Sequence, residues 1–123
     1  MKIVVTGSGG MLAQDLVPVL HTMHDTLALN LDDLDITDKQ AVFDVLGEID
    51  ADLVINCAAY SEVDLAESEV EKAFRVNAYG VQQLALACRE HDLGLCHIST
   101  DYVFDGRAIN PYQPFDIPNP LSV

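Results

Sequence analysis

Ser99, Thr100, Asp101 and Tyr102 follow directly on the apolar run that ends at Ile98. Aliphatic hydroxyls, a carboxylate and a phenol therefore collect where a strand would deliver them to its end, and that grouping suits a site. A second such place lies near the start of the chain. The short apolar run Ile3 to Val5 leads into Thr6-Gly7-Ser8-Gly9-Gly10 and then into an apolar helix start at Met11 and Leu12. A turn without side chains lets the backbone come close to a pyrophosphate, and the free N–H groups and positive end of the following helix face the anion. The spacing Gly7-x-x-Gly10-x-x-Ala13 is a variant of the dinucleotide fingerprint, with Ala13 where a third glycine would allow the closest helix–strand packing. An ordinary glycine-rich turn has the same composition. The strand before it and the helix after it favour the phosphate cradle.

These places need elements to position them. Strands are predicted at Ile3 to Val5, Leu27 to Leu29, Leu53 to Asn56 and Leu95 to Ile98, and helices at Met11 to Met23, Asp38 to Gly47 and, as one long element, Leu65 to Glu90. Short continuous apolar runs alternating with helices argue for a parallel sheet covered on both faces. The expected fold is therefore α/β, a Rossmann-type doubly wound sheet with strand order 3-2-1-4. Thr37 or Asp38 suits the cap of the second helix and Gly47 its C-terminal end. After Ser99 the chain reads as loop, because Pro111, Pro114, Pro118 and Pro120 exclude a regular helix.

Composition narrows the partners. Half of the 123 residues are hydrophobic, ample for one core but short of a complete two-half dinucleotide fold. Six basic against 20 acidic residues give a net charge of −14, a field that opposes nucleic acid and anionic membrane surfaces. A small anion can still be captured locally by backbone N–H groups. Cys57, Cys88 and Cys96 lack C-x-x-C spacing and suit reduced thiols. The histidines show no metal-binding pattern, and no metal is expected. No apolar run reaches transmembrane length, and Lys2 followed at once by strand and turn does not suit a signal peptide, so a cytoplasmic location is expected.

The segments TGSGGMLA, LDDLDITD, VINCAAYSEVDLAE, FRVNAYG and HISTDYVFDG, closing with PNPLSV, resemble in order and spacing the dTDP-4-dehydrorhamnose reductase family of extended short-chain dehydrogenases, from Met1 to Val123. The resemblance implies NAD(P)H on a Rossmann domain and reduction of the 4-keto group of a nucleotide-linked sugar such as dTDP-4-dehydrorhamnose. By that likeness Gly7, Gly10, Met11 and Leu12 hold the pyrophosphate and Asp35 and Ile36 border the adenine. Cys57, Ala58, Ala59, Tyr60 and Ser99 line the rest of the cofactor. Thr100 matches the catalytic hydroxyl that bonds the keto oxygen, and Val63, Asp101 and Tyr102 match positions around the sugar. Asn30 stands where an acid commonly bonds the ribose hydroxyls, and no Arg or Lys lies nearby while Asp32 and Asp33 follow, which tilts the expectation toward NAD(H). For Asp35, turn chemistry before Thr37 is the competing reading. Asn77 suits a steadying role for the long helix or for backbone at the site. Phe104 suits a hydrophobic plug behind the sheet, and the acidic run from Glu62 to Glu71 a solvated helix surface.

The same resemblance implies a Tyr-x-x-x-Lys helix after Val123 as proton donor. Within these residues Tyr60, Tyr79, Tyr102 and Tyr112 are followed four positions on by Asp64, Gln83, Gly106 and Asp116, never by lysine. An unassisted phenol titrates near ~10 and is a poor acid at neutral pH. The 123 residues alone are therefore expected to be inactive, incomplete as a Rossmann domain, and prone to associate as a homo-oligomer through uncovered sheet edge. A noncatalytic cofactor-binding module is the alternative reading.

Overall fold

A computed structural model describes residues 1–123. In chain order the elements are β1 (Lys2–Thr6), α1 (Met11–His21), β2 (Asp25–Leu29), α2 (Lys39–Glu48), β3 (Leu53–Asn56), α3 (Val63–Ala66), α4 (Val70–Phe74), a wide π turn (Arg75–Gly80), α5 (Val81–Glu90), β4 (Gly94–His97) and a 3₁₀ turn (Asp101–Val103). All strand pairs are parallel. The doubly wound α/β class expected from the sequence holds.

Alternation along β1 sorts its side chains to two faces. Val4 joins Val54, Val42, Leu46, Leu84, Ala87 and Cys88 in one core. Ile3 and Val5 join Ile55 and Ala13 in the other. Val4, Val54 and Leu84 are fully buried, and burying a side chain of that kind contributes about 1.5–3 kcal/mol. Pro18 is accommodated inside α1 on its exposed side, where the Gln14 carbonyl that it leaves without an N–H can meet water. The Asp38 side chain accepts the Ala41 N–H at 3.1 Å, as its cap position requires. Gly47 is the penultimate residue of α2, at the C-terminal end expected for it but inside the last turn and not past it. A Cβ there would come 2.9 Å from Cε1 of His91, so the glycine lets α2 meet the end of α5.

Two expectations about the elements are corrected. The sheet order is β2-β1-β3-β4 rather than 3-2-1-4. Leu53–Asn56 is almost wholly buried and needs neighbours on both sides, so it lies beside β1, whereas β2 is the more exposed strand, with only Thr26 buried. Beyond β2, residues 30–38 form turns instead of an outer strand. Leu34 and Ile36 alternate inward as strand residues would. The N–H groups of Asp32 and Thr37, however, go to the side chains of Asn30 (2.7 Å) and Asp35 (2.8 Å) and not to a ladder.

The expected helix Leu65–Glu90 is interrupted only at residues 67–69: α3 stops at Ala66, and from Val70 to Glu90 the chain is continuously helical as α4, the wide π turn and α5. After Leu65 both Ser68 N–H (3.0 Å) and Glu69 N–H (2.7 Å) donate to its carbonyl, and the Ser68 hydroxyl donates to the same oxygen at 3.0 Å. That closes a turn where the helix would have continued.

Candidate functional site

Parallel strands end together, and Thr6 of β1 pairs with Asn56 of β3, which pairs with His97 of β4. Between β1 and β3 the direction of winding reverses, because β1 connects outward to β2 and the chain then returns to the other side. Ligands of open α/β sheets bind outside the strand ends at such a switch point. The glycine turn sits there.

Gly7 has φ +69°, and a Cβ on it would fall 2.5 Å from both the nitrogen and the Cα of Ala58. The turn is thus pressed backbone to backbone against the loop after β3. Gly10 N–H donates to the Gly7 carbonyl and Ser8 N–H to the Leu29 carbonyl, both at 3.0 Å. Around Gly9 the space is open. The first helical bond of α1 runs from Gln14 N–H to the Gly10 carbonyl, so the N–H groups of Met11, Leu12 and Ala13 lie ahead of the ladder. No side chain caps them and no acid stands in the first turn. Ala13 is fully buried where helix meets strand, while Met11 and Leu12 are exposed at the mouth of the turn.

The loop Cys57–Tyr60 is held by two asparagines. The fully buried Asn56 accepts, at Oδ1, from the Thr6 hydroxyl (2.6 Å) and from the Ala58 N–H (3.1 Å). Its Nδ2 lies 3.0 Å from Nδ1 of His97. Further on, Asn77 in the wide turn brackets Tyr60, accepting its N–H at 2.8 Å and donating to its carbonyl at 2.9 Å. The steadying role expected for Asn77 is directed at this loop. The Tyr60 hydroxyl donates to Glu69 at 2.7 Å, and Lys72 donates to the same carboxylate oxygen at 2.9 Å while lying 4.8 Å from the Tyr60 ring centre. The hydrogen bond to Glu69 is the main cause holding the phenol of Tyr60 above its ordinary range, with burial second. The Lys72 bond, then the Tyr60 bond, hold Glu69 below the usual carboxylate range. The Cys57 thiol is pushed up by burial and then by Cys96, which keeps it protonated at neutral pH.

On the β2 side, the Asn30 side chain is occupied by the N–H groups of Asp32 (2.7 Å) and Asp33 (3.4 Å), and Asp33 in turn accepts the Asn30 N–H at 2.9 Å. Asp35 caps Thr37, the turn chemistry foreseen as its alternative. Ile36 belongs to the core, against Gly80, where a Cβ would meet its Cγ1 at 2.8 Å. Its side chain packs beneath the surface while its backbone borders the turn.

At the end of β4, Ser99, Thr100, Asp101 and Tyr102 are all exposed. Thr100 caps the 3₁₀ turn: Oγ1 accepts the Tyr102 N–H at 3.2 Å and lies 3.4 Å from Asp101 Oδ1. Phe104 stacks on Tyr112 with ring centres 4.1 Å apart, inside the loop rather than behind the sheet. Asp105 ties that loop together, accepting from Arg107 N–H (3.0 Å), Tyr112 OH (2.9 Å) and Asn119 Nδ2 (3.0 Å), and these bonds lower its pKa in the order Arg107, Asn119, Tyr112. A cavity of about 320 Å³ opens between Asp101, Tyr102, Phe104, Asp105, Leu121 and Ser122. The half-exposed Val63 begins α3. At the other end of α3, Glu67 accepts the Val123 N–H at 2.8 Å. The acidic run is thus partly engaged, at Glu67 and Glu69. Thr6, Asn56 and His97 escape a sequence reading for function. Their signal is a polar residue closing each apolar strand.

A doubly wound parallel sheet with a glycine turn at its switch point defines a Rossmann-type α/β domain. The chain matches the model of the family described as RmlD substrate binding domain over residues 1–123, and it belongs to that family. It is 43% identical over 124 residues to a dTDP-4-dehydrorhamnose reductase of Aggregatibacter actinomycetemcomitans, covering 99% of this chain and 42% of that protein. Among solved structures, a dTDP-4-dehydrorhamnose reductase of Clostridium acetobutylicum superposes with a TM-score of 0.95 at 39% identity, covering 99% of this chain and 44% of that one. One from Bacillus anthracis in complex with NADP gives 0.95 at 36%, covering 98% and 43%. The chain therefore spans less than half the length of these relatives. None of its helices is long and apolar enough to cross a membrane.

Proposed function

We propose that this chain is the nucleotide-binding portion of a dTDP-4-dehydrorhamnose reductase, which holds NAD(P)H along Gly7–Leu12 and offers Thr100 to the 4-keto oxygen of a nucleotide-linked deoxysugar. The observation that carries the reading is the bare backbone at the switch point, where Gly7 rests on Ala58 with open space at Gly9. A pyrophosphate fits there: the first N–H groups of α1 are uncapped and no carboxylate opposes it in the first turn. Bound NAD(P)H supplies a hydride to the sugar carbonyl carbon.

The remaining work falls to the chain. Gly10, Met11 and Leu12 hold the phosphates through backbone N–H groups. Cys57, Ala58, Ala59, Tyr60 and Ser99 border the ribose and nicotinamide, and the Asp35–Ile36 backbone borders the adenine. Asn30 contributes backbone or a partly spent amide, since its Oδ1 already serves Asp32 and Asp33. With no Arg or Lys between Asp25 and Asp38 to meet a 2′-phosphate, NAD(H) is the favoured form. The long Thr100–Asp101 contact of 3.4 Å leaves the Thr100 proton available to a keto oxygen, and Val63, Asp101 and Tyr102 surround the sugar. We place this activity in the cytoplasm. The open edge of β4 supports pairing with further polypeptide, a second copy in a homo-oligomer included.

Calorimetric titration with NADH and NADPH tests the reading, with tighter NADH expected. Gly10→Asp is the matching variant. The N-cap backbone (φ −76°, ψ 158°) suits an L-residue, whose Cβ would meet only the Gly7 carbonyl oxygen, at 3.3 Å, and aspartate caps helices well, so the fold should hold with a small shift of the turn while the new carboxylate takes the phosphate's N–H groups. A loss of at least about tenfold is expected, one charge-assisted hydrogen-bond set. Unchanged affinity overturns the site, and a parent that binds neither dinucleotide overturns the function.

A further inference from the structure

The orientation of one buried amide fixes the protonation state of a neighbouring ring. Ala58 N–H can only donate, so the Asn56 atom that meets it at 3.1 Å is the oxygen, and the Thr6 hydroxyl gives its proton to the same oxygen at 2.6 Å. The Asn56 nitrogen must then face Nδ1 of His97 at 3.0 Å. Two N–H donors cannot share that contact, so Nδ1 is an acceptor and the ring carries its proton on Nε2. A protonated imidazole would put a second donor at Nδ1. Asn56 cannot answer by turning its amide over, because Ala58 N–H and the Asn56 NH2 would then collide as donors.

We propose that His97 is a positioning residue: by accepting from Asn56 through Nδ1 it holds the Cys57–Tyr60 loop against the glycine turn, and protonation of its ring releases that loop and weakens dinucleotide binding. The last clause rests on the cofactor reading given above. His97 is exposed as a whole, and the partial burial of its ring beside Asn56 lowers its pKa from the ordinary histidine value, in favour of the neutral form. His97 shares a sheet face with Thr6, Asn56, Val4 and Val54, and stands exposed at the end of β4 beyond the part of that face that α2 and α5 cover. The ionisable groups on the elements packed against this face are Lys39, Asp44 and Glu48 on α2, Arg75 and Tyr79 in the wide turn and Cys88, Arg89 and Glu90 on α5, with Cys96 on β4 itself and Cys57 and Asp101 just beyond the ends of β3 and β4. None of them contributes to the shift, whose cause is burial alone.

The test has two readouts on the protein without and with dinucleotide. Imidazole nitrogen NMR should find Nδ1 bare and Nε2 protonated at neutral pH. On acidification the Ala58 amide resonance should move with the midpoint of the His97 ring, below the ordinary value of about 6.5. The NADH dissociation constant should rise about fivefold through the same range, the worth of one net hydrogen bond. His97→Gln keeps an acceptor that does not titrate, and both responses should flatten with affinity near the neutral-pH value. A ring protonated on Nδ1, an Ala58 amide indifferent to the His97 titration, or an undiminished pH dependence in His97→Gln overturns the proposal. An Ala58 response without dinucleotide binding at any pH upholds the His97–Ala58 link and overturns the cofactor reading instead.

Discussion

Gly7 and Ala58 meet so closely that one added methyl on Gly7 would stand 2.5 Å from two backbone atoms of Ala58. Neither partner of that contact is a flexible side chain, so nothing can move aside cheaply. Gly7 moreover sits at φ +69°, where an L-residue costs roughly 1–2 kcal/mol before any clash. Gly9, two residues on, has an ordinary φ and nothing within 4 Å. Gly7→Ala is expected to lower the thermal midpoint sharply and Gly9→Ala to leave it almost unchanged. Calorimetric melting of the two variants decides, and equal midpoints would show that the turn does not press on the loop.

Asn77 gives both its amide groups to the backbone of one residue, Tyr60, bonding its N–H and its carbonyl. Two exchanged hydrogen bonds contribute about 0.5–1.5 kcal/mol each where water can partly replace them. Asn77→Ala should therefore cost about 1–3 kcal/mol in denaturant unfolding, with Asn77→Asp keeping the acceptor half and losing less. Equal losses in the two variants would mean that the Tyr60 N–H bond contributes nothing.

Asp105 has its pKa lowered by three donors from its own loop, first Arg107 N–H and then Asn119 and Tyr112. Its folded value lies below the unfolded one, so the order it lends the loop is present above the ordinary aspartate range and is lost as pH falls through the folded value. Tyr112 ring resonances should change on acidification with the Asp105 carboxyl, and Asp105→Asn should remove that titration. A Tyr112 signal that titrates alike in both proteins would detach the Phe104–Tyr112 stack from Asp105.

Hydride delivery to a carbonyl leaves negative charge on oxygen, and no tyrosine of these residues has a lysine four positions on to lower its pKa. The phenol of Tyr60 is held above its ordinary range by the hydrogen bond to Glu69, which opposes a role as acid. The 123 residues are expected to bind cofactor without turning over dTDP-4-dehydrorhamnose, whereas a version continued through a Tyr-x-x-x-Lys helix should gain about 10²–10⁴-fold from the acid. Oxidation of NAD(P)H followed in both forms tests this, and equal rates would mean that the proton comes from within these residues.

Much of this arrangement is legible because it is local. Gly7 and Gly10 announce a turn, Asp38 a cap and Leu53–Asn56 a buried strand through composition alone. The strand order is not local: apolar runs identify strands without saying which one lies inside, and the edge position of β2 appears only in its greater exposure once the sheet is assembled. Competition between side chain and backbone hides the rest. Ser68 stops a helix that hydrophobic spacing would continue, and Asn30 spends on Asp32 and Asp33 the amide that its position assigns to a ribose. Asn56 is polar, ends an apolar run and looks like a strand boundary, yet its amide orders three strands' ends.

The wide turn Arg75–Gly80 also fixes the length of the chain around it. A π turn carries one residue more than an α turn, and one residue rotates everything beyond it by about 100°. Deleting a single residue there would restore a regular helix and swing Leu84, Ala87 and Cys88 off the sheet, or else carry Asn77 away from Tyr60. Homologous chains that keep both contacts should accept substitutions in this stretch far more readily than single-residue insertions or deletions, which makes its spacing a ruler between the core and the loop over the glycine turn.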